Sequence, residues 1–306
     1  MRVDNKNELK KFNIETSPSF CFEQVIELVI YNCEFEIFTI FLLKKFKNLK
    51  SLSFMESSPS RLLLFLVECC QQLEYLTLEG KQLSCEFLKT ENNYLVDLRL
   101  INTGIKINFC LYFTKLRSFC LFDSNNEIFS SQNIEDINNL ISNIPETVQE
   151  IEICVNSKHV NHSLELIGTR LSLLESLHLH LIDEVDPAPD ITAQALQILQ
   201  RGCPKLVTIQ FSDGLVGFTS NAFSIFGKFS CLRKISSLYD DPAISCLEIV
   251  LQESNSIEEI TFFECAEYIE NDGGSGRWSE MEDELRRVHE KYPGVSIVLK
   301  DWWWSK

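Results

Sequence analysis

Two histidines, His178 and His180, stand two residues apart in the run Leu177-His178-Leu179-His180-Leu181. Strict apolar–polar alternation of this kind is strand patterning, and in a strand residues i and i+2 share a face. Both imidazoles therefore point the same way. Neutral imidazole is a common zinc ligand, but a zinc site needs a third or fourth donor. The nearest acidic residues in the pattern are Glu150 and Glu152, which alternate with Ile151 and Ile153 one unit earlier. The sequence completes no ligand set around them, and no metal is assigned. His159 and His162 lie outside the alternating stretches, and no His-Glu-x-x-His pattern accompanies them.

Other stretches that could carry chemistry fall short of it. Gly273-Gly274-Ser275-Gly276 has neither the spacing nor the Lys-Ser/Thr ending of a phosphate-binding loop, and reads as a flexible connection. No Gly-x-Ser-x-Gly elbow is present. Asp183-Glu184-Val185-Asp186 spells a caspase-type cleavage sequence, but Pro187 follows the scissile position, so it reads as an acidic turn. Trp302-Trp303-Trp304 cannot all face one core and reads as a cap over exposed apolar edges. No catalytic residue, cofactor or metal is assigned on this basis, and the chain is expected not to be an enzyme.

The elements that hold these residues are repeats. A unit written apolar-x-x-apolar-x-apolar starts at Val25, Leu49, Leu73, Leu95, Leu116, Val148, Leu174, Leu206, Leu232, Ile257 and, in degenerate form, Gly294. Only Gly294 and Ser237 depart from the apolar positions. Each unit predicts a short strand with one buried face, which a single strand cannot bury alone. Stacking the units side by side gives a parallel sheet with one continuous core.

The spacers predict helices. Phe35, Phe38, Leu42 and Phe46 fall on one helical face between Glu34 and Phe46. Ile134, Ile137, Leu140 and Ile141 do so after a polar loop that begins at Asp123. Ile191, Ala195, Ile198 and Leu199 form a third stripe, with Asp190 or Thr192 as its cap and Gly202 and Pro204 as its stop. The last helix is marked by the capping box Ser279-Glu280-Met281-Glu282 and the stripe Met281, Leu285, Val288 and Tyr292. The organisation read from this is a tail or cap over 1–24, about eleven repeat units over 25–300, and a Trp-rich tail over 301–306.

The totals limit the partners. A net charge of −16 over 306 residues repels phosphate backbones and anionic lipid. Nucleic acid and membranes are therefore not expected partners, whereas a protein of basic or mixed-charge surface is. The 12 cysteines are scattered, apart from Cys69-Cys70, and form no Cys-x-x-Cys pair. They read as small buried hydrophobes in a reducing compartment rather than as a disulfide framework. Met1–Glu15 has no signal-peptide core, and the apolar run Phe35–Phe46 carries Glu36, Lys44 and Lys45 and is too short to span a bilayer. The expected location is cytoplasmic or nuclear.

The stretch Cys203-Pro204-Lys205-Leu206 leading into Ile209 and Phe211 carries a resemblance. So do the endings Ile30-Tyr31-Asn32-Cys33 and Phe262-Phe263-Glu264-Cys265, and Tyr292-Pro293-Gly294 before the final strand. Together with the spacing of roughly two dozen residues, they resemble the leucine-rich-repeat superfamily, in its ribonuclease-inhibitor-like and cysteine-containing forms. The resemblance implies an α/β solenoid, a horseshoe with the parallel sheet on its concave face and helices on its convex face. It also implies a non-catalytic protein-interaction scaffold. Such repeats occur in F-box proteins that recruit substrates to SCF-type ubiquitin ligases through a Skp-type adaptor. No F-box is found within residues 1–24, which are too short for one and whose proline, Pro18, follows Ser17, so a Skp-type adaptor is an expected partner only if an F-box lies upstream. The alternative within the superfamily is a stand-alone regulatory repeat protein that binds a GTPase or cytoskeletal partner. An enzyme with an unrecognised site is the alternative of another class.

The third, fifth and seventh positions of each unit share the face opposite the core. On that face the candidate partner-binding residues are the aromatics Tyr31, Tyr75 and Phe122, and the charged residues Glu79, Asp97, Arg99, Glu150 and Glu152. His178, His180 and Gln210 complete the set. Aromatic anchors among charges are the usual composition of a protein interface.

Overall fold

The computed structural model describes residues 2–4, 24–31, 46–55, 72–80, 94–102, 113–122, 134–182, 190–212, 217–219, 221–238, 247–264, 283 and 285–301. The chain divides into two compact units, Met1–Val148 and Gln149–Lys306.

In the first unit six strands run parallel and pair in chain order: β1 (Arg2–Asp4), β2 (Glu27–Tyr31), β3 (Ser51–Met55), β4 (Tyr75–Glu79), β5 (Asp97–Ile101) and β6 (Ser118–Phe122). Helix α1 (Ile134–Asn143) follows, with Leu140 and Ile141 buried. Strand β1 lies within the segment read as a tail or cap and pairs Val3 with Ile30. Three residues are too few for the alternation signal that marks the other strands.

The second unit alternates strands with helices: β7 (Glu150–Asn156), α2 (Val160–Arg170), β8 (Ser176–Ile182), α3 (Ala193–Gly202), β9 (Thr208–Ser212) and β10 (Lys234–Leu238) come first. They are followed by α4 (Leu247–Glu253), β11 (Glu259–Glu264), a helical stretch over 285–291, and β12 (Ser296–Asp301). Its strands are again parallel and neighbours in chain order. The fold is an α/β repeat architecture, with parallel strands stacked in chain order within each unit.

The register matches the repeat without a slip. Glu27, Ser51, Tyr75, Asp97 and Ser118 pair across the first unit, and Glu150, Ser176, Thr208, Lys234, Glu259 and Ser296 across the second. The carbonyl of the second unit position accepts two N–H groups of the next unit: Ile26 O from Lys50 and Ser51, Lys50 O from Glu74 and Tyr75, Glu175 O from Val207 and Thr208. From Leu28 to Phe262 every described apolar unit position is buried, including Leu52, Leu98, Leu177, Leu206, Ile209 and Phe211. Burying one such side chain contributes about 1.5–3 kcal/mol.

The unit also has a signal that its six-letter pattern omits. The residue three places before the first apolar position is buried at Phe46, Phe113, Leu171, Cys203 and Phe229. The N–H groups of Leu49, Leu116, Leu174 and Leu206 donate to the carbonyls of Phe46, Phe113, Leu171 and Cys203. Strands β3, β6, β8 and β9 are thus entered through a tight turn pinned by a core side chain.

Helix α3 shows how a spacer is fixed. Thr192 is its N-cap, with Oγ1 accepting from Ala195 N at 3.3 Å. Thr192 N and Oγ1 both donate to Asn161 Oδ1, at 2.8 and 3.1 Å, which ties the cap to α2. The two helices approach closely where both lack a side chain. A Cβ at Gly202 would fall on the Gly168 carbonyl oxygen, and one at Gly168 would meet Leu199 Cα at 2.7 Å. Between β9 and β10 the expected helix is a tighter 3-10 segment, Phe223–Lys228. Edge-to-face contacts among Phe218, Phe223 and Phe226 fill the space there, with centroids 5.2–5.9 Å apart. Of the predicted helices, Glu34–Phe46 lies outside the described residues except for buried Phe46, and so does the capping box at 279–282. Leu285 and Val288 of the last stripe are buried.

Candidate functional site

Three adjacent strands of the second unit bring polar side chains together. Register places Glu152 beside His178 and His178 beside Gln210. One rung further, Cys154 lies beside His180 and His180 beside Ser212. Side chains on this face are within reach of both direct and diagonal neighbours.

The cluster is compact. Glu152 Oε1 lies 3.0 Å from His180 Nε2 and 3.5 Å from His178 Nδ1. On the far side of the rings, Ser212 Oγ lies 2.8 Å from His178 Nε2 and 3.0 Å from His180 Nδ1. The two imidazoles are 3.9 Å apart between centroids, inclined by 37°. His180 and Ser212 are buried, and the Glu152 side chain is 34% exposed, so solvent reaches the cluster from the Glu152 side. One donor atom from each of Glu152, His178 and His180 lies within 4.8 Å of the others.

The pairing of Glu152 with the histidines follows from strand register, and of the two acidic candidates it is Glu152 that meets them. Glu150 stands exposed at the start of β7. Ser212 belongs to the same face but was not singled out from the sequence, since one hydroxyl among many serines carries no signal before the register is known. His159 and His162 join no such cluster among the described residues. His162 Nδ1 lies 3.9 Å from Glu165 Oε2, and burial lowers the His159 pKa, with help from the neighbouring Lys158 and His162 charges.

The remaining candidates are spread along the two strand ladders. In the first unit Tyr75 is 47% exposed, with Ser51 and Asp97 as its register neighbours. Arg99 is exposed, with Nε 3.5 Å from Asp97 Oδ1. Glu79 and Phe122 are half-buried at the ends of their strands. Tyr31 closes β2, and its side chain lies outside the described residues. In the second unit Gln210 is half-buried beside His178. The acidic turn at 183–186, the glycine-rich stretch at 273–276 and Trp302–Trp304 lie outside the described residues.

Three of the four described cysteines behave as core. Cys120, Cys154 and Cys203 are buried thiols, while Cys231 is exposed. Cys203 Sγ donates to Leu171 O at 3.3 Å, and burial pushes its pKa up to about 12. Among the described residues no helix is long and apolar enough to cross a membrane.

No protein-family model matches the chain, and no curated protein matches it. Among solved structures it is similar to Rad7 in the Rad7–Elc1 complex of yeast, at 15% identity and a TM-score of 0.49, covering 85% of this chain and 76% of that one. It is also similar to a chain of the Drosophila Toll–Spatzle complex, at 11% identity, a TM-score of 0.44, and 78% and 27% coverage. An internalin from Listeria monocytogenes aligns at 13% identity, with a TM-score of 0.42 and 76% and 71% coverage.

Proposed function

We propose that this chain is a non-catalytic protein-interaction scaffold that binds a protein partner through its strand face. Tyr75 is the observation that carries the reading. It stands half-exposed at the start of β4 beside the small Ser51 and the charged Asp97. A large amphipathic ring on a ladder of small and charged residues offers buriable area at low cost in side-chain entropy. With a net charge of −16, the complementary partner presents a basic or mixed-charge surface. Affinity purification of the full chain with mass spectrometry, wild type against Tyr75→Ala, tests this. Selective loss of a stoichiometric partner is expected, and an unchanged set of partners sinks the strand-face reading.

A finer reading is substrate recognition in an SCF-type ubiquitin ligase, which rests on the repeat resemblance alone. Co-purification of a Skp-type adaptor in the same experiment supports it. A stable partner of another kind, without the adaptor, favours a stand-alone regulatory role.

A further inference from the structure

We propose that Glu152, His178 and His180 form a binding site for a divalent transition-metal ion of the zinc class. The inference stands apart from the protein-binding reading and rests on the hydrogen-bonding capacity of the cluster.

Four ring nitrogens face two side-chain oxygens: His178 Nδ1 and His180 Nε2 toward Glu152, His178 Nε2 and His180 Nδ1 toward Ser212. A neutral imidazole carries one N–H and one bare nitrogen, a hydroxyl carries one proton, and a carboxylate carries none. Three protons then satisfy the three contacts of 2.8–3.0 Å, and the conflict left is a bare His178 Nδ1 set against the Glu152 carboxylate at 3.5 Å. A cation on the Glu152 side removes the conflict. Both rings then turn their N–H groups to Ser212 Oγ, whose two lone pairs accept them. Both bare nitrogens and the carboxylate oxygen are left facing one point.

That arrangement has two layers. Glu152, His178 and His180 are the ligands, with donor atoms within 4.8 Å of one another. Ser212 is the outer partner that fixes the tautomer of both rings, the part that ligating histidines usually require. Two imidazoles and one carboxylate suit zinc and its neighbours rather than calcium or magnesium, which take oxygen ligands. Three protein donors leave a coordination position for water on the partly exposed Glu152 side. The ligands sit on strands β7 and β8 and Ser212 on β9, so their spacing is held by the ladder of backbone hydrogen bonds rather than by a loop. The negative charge of the chain also favours cation binding.

Isothermal titration calorimetry of the full chain with zinc chloride at pH 7.5 tests the proposal. One ion per chain is expected, weakened at least tenfold by His178→Asn and by Glu152→Gln. Ser212→Ala is expected to weaken it by about tenfold to a hundredfold, and His162→Asn to leave it unchanged. Cobalt added to wild-type protein gives a readout that does not depend on how the variants fold. Visible d–d bands well above those of cobalt in buffer, as four-coordination gives, without a strong near-ultraviolet thiolate band support nitrogen and oxygen ligation, whereas a thiolate band places the ion on cysteines and overturns the proposal. Absence of binding, or equal affinity in the wild type, His178→Asn and Glu152→Gln proteins, overturns it as well. So does an NMR titration in which the pair takes up a proton near neutral pH and zinc leaves the imidazole signals unmoved.

Discussion

The same repeat position behaves differently in the two units. In the first, the outward residue at the end of each strand, Met55, Glu79, Ile101 and Phe122, is partly open to solvent. In the second, the equivalent Cys154, His180 and Ser212 are buried. The buried residues lie on, or beside, longer strands. Strands β3 to β6 have five residues, whereas β7 and β8 have seven. The extra rung pairs Asn156 with Ile182 on the outward face, directly beyond Cys154 and His180. Ile182 is buried there, although its parity in the strand marks it as outward. Cys154 and His180 thus stand beside a further rung that strands β3 to β6 lack. Repeat position sets the direction of a side chain but not its environment.

The inward face should not distinguish the units. Leu98 in β5 and Leu177 in β8 are both fully buried at the same unit position. Replacing either with Ala is expected to cost about 2–5 kcal/mol. Urea unfolding followed by circular dichroism measures both, and a large inequality between them would mean that the two cores are not built alike.

The helices of the second unit supply the next test. A Cβ on Gly202 collides with the Gly168 backbone, which has no flexible end to move aside. Gly202→Ala is expected to cost about 1–3 kcal/mol or more, as overpacking does. Gly294 has open space around it, so Gly294→Ala is expected to be neutral within about 0.5 kcal/mol. Equal melting temperatures for the two variants would show that the helix pair can spread.

The outward face should separate the units most clearly. Ser212→Ala leaves His178 Nε2 and His180 Nδ1 without the oxygen they now face and is expected to cost about 1–3 kcal/mol. Tyr75→Ala, at the exposed start of β4, is expected to stay within about 0.5 kcal/mol while it removes partner binding. Comparable losses for the two would put both faces in the same environment.

The strands were legible because their signal is local. Alternation over six residues located β2 to β12, and a fixed two-residue period left no freedom in which side chains faced the core. Helix α3 was legible for a similar reason, since Thr192, Gly202 and Pro204 punctuate it. The cluster was half legible. His178 and His180 share a face by parity, but choosing Glu152 over Glu150 and adding Ser212 requires the cross-strand register, which a single strand does not encode. Burial of His180 was not legible, because repeat position fixes direction and not exposure. The turn residues Phe46, Phe113, Leu171, Cys203 and Phe229 lie in plain view in the sequence. Three are Phe but Leu171 and Cys203 are not, so all five share only a place three residues ahead of the unit, and the pattern shows once the core is seen.

Those turn residues give the last comparison. Among the described residues the position holds Phe46 and Phe113 in the first unit, which do not titrate, and in the second it includes Cys203. Burial raises the Cys203 thiol from its usual value near 9 to about 12. A thiol whose folded pKa is raised stabilises the fold fully below the unfolded value. Above about pH 9 the unfolded chain loses this proton and the folded chain keeps it, so the contribution falls away until about pH 12. The slope for one proton is at most about 1.4 kcal/mol per pH unit. Wild-type protein is therefore expected to lose stability faster than Cys203→Ala between pH 9 and 10, with the difference approaching that slope and vanishing below pH 8. Denaturant melts at paired pH values measure it. Parallel pH profiles for the two proteins would mean that the thiol ionises in the folded state, and that the turn at Cys203 is wetter than those at Phe46 and Phe113.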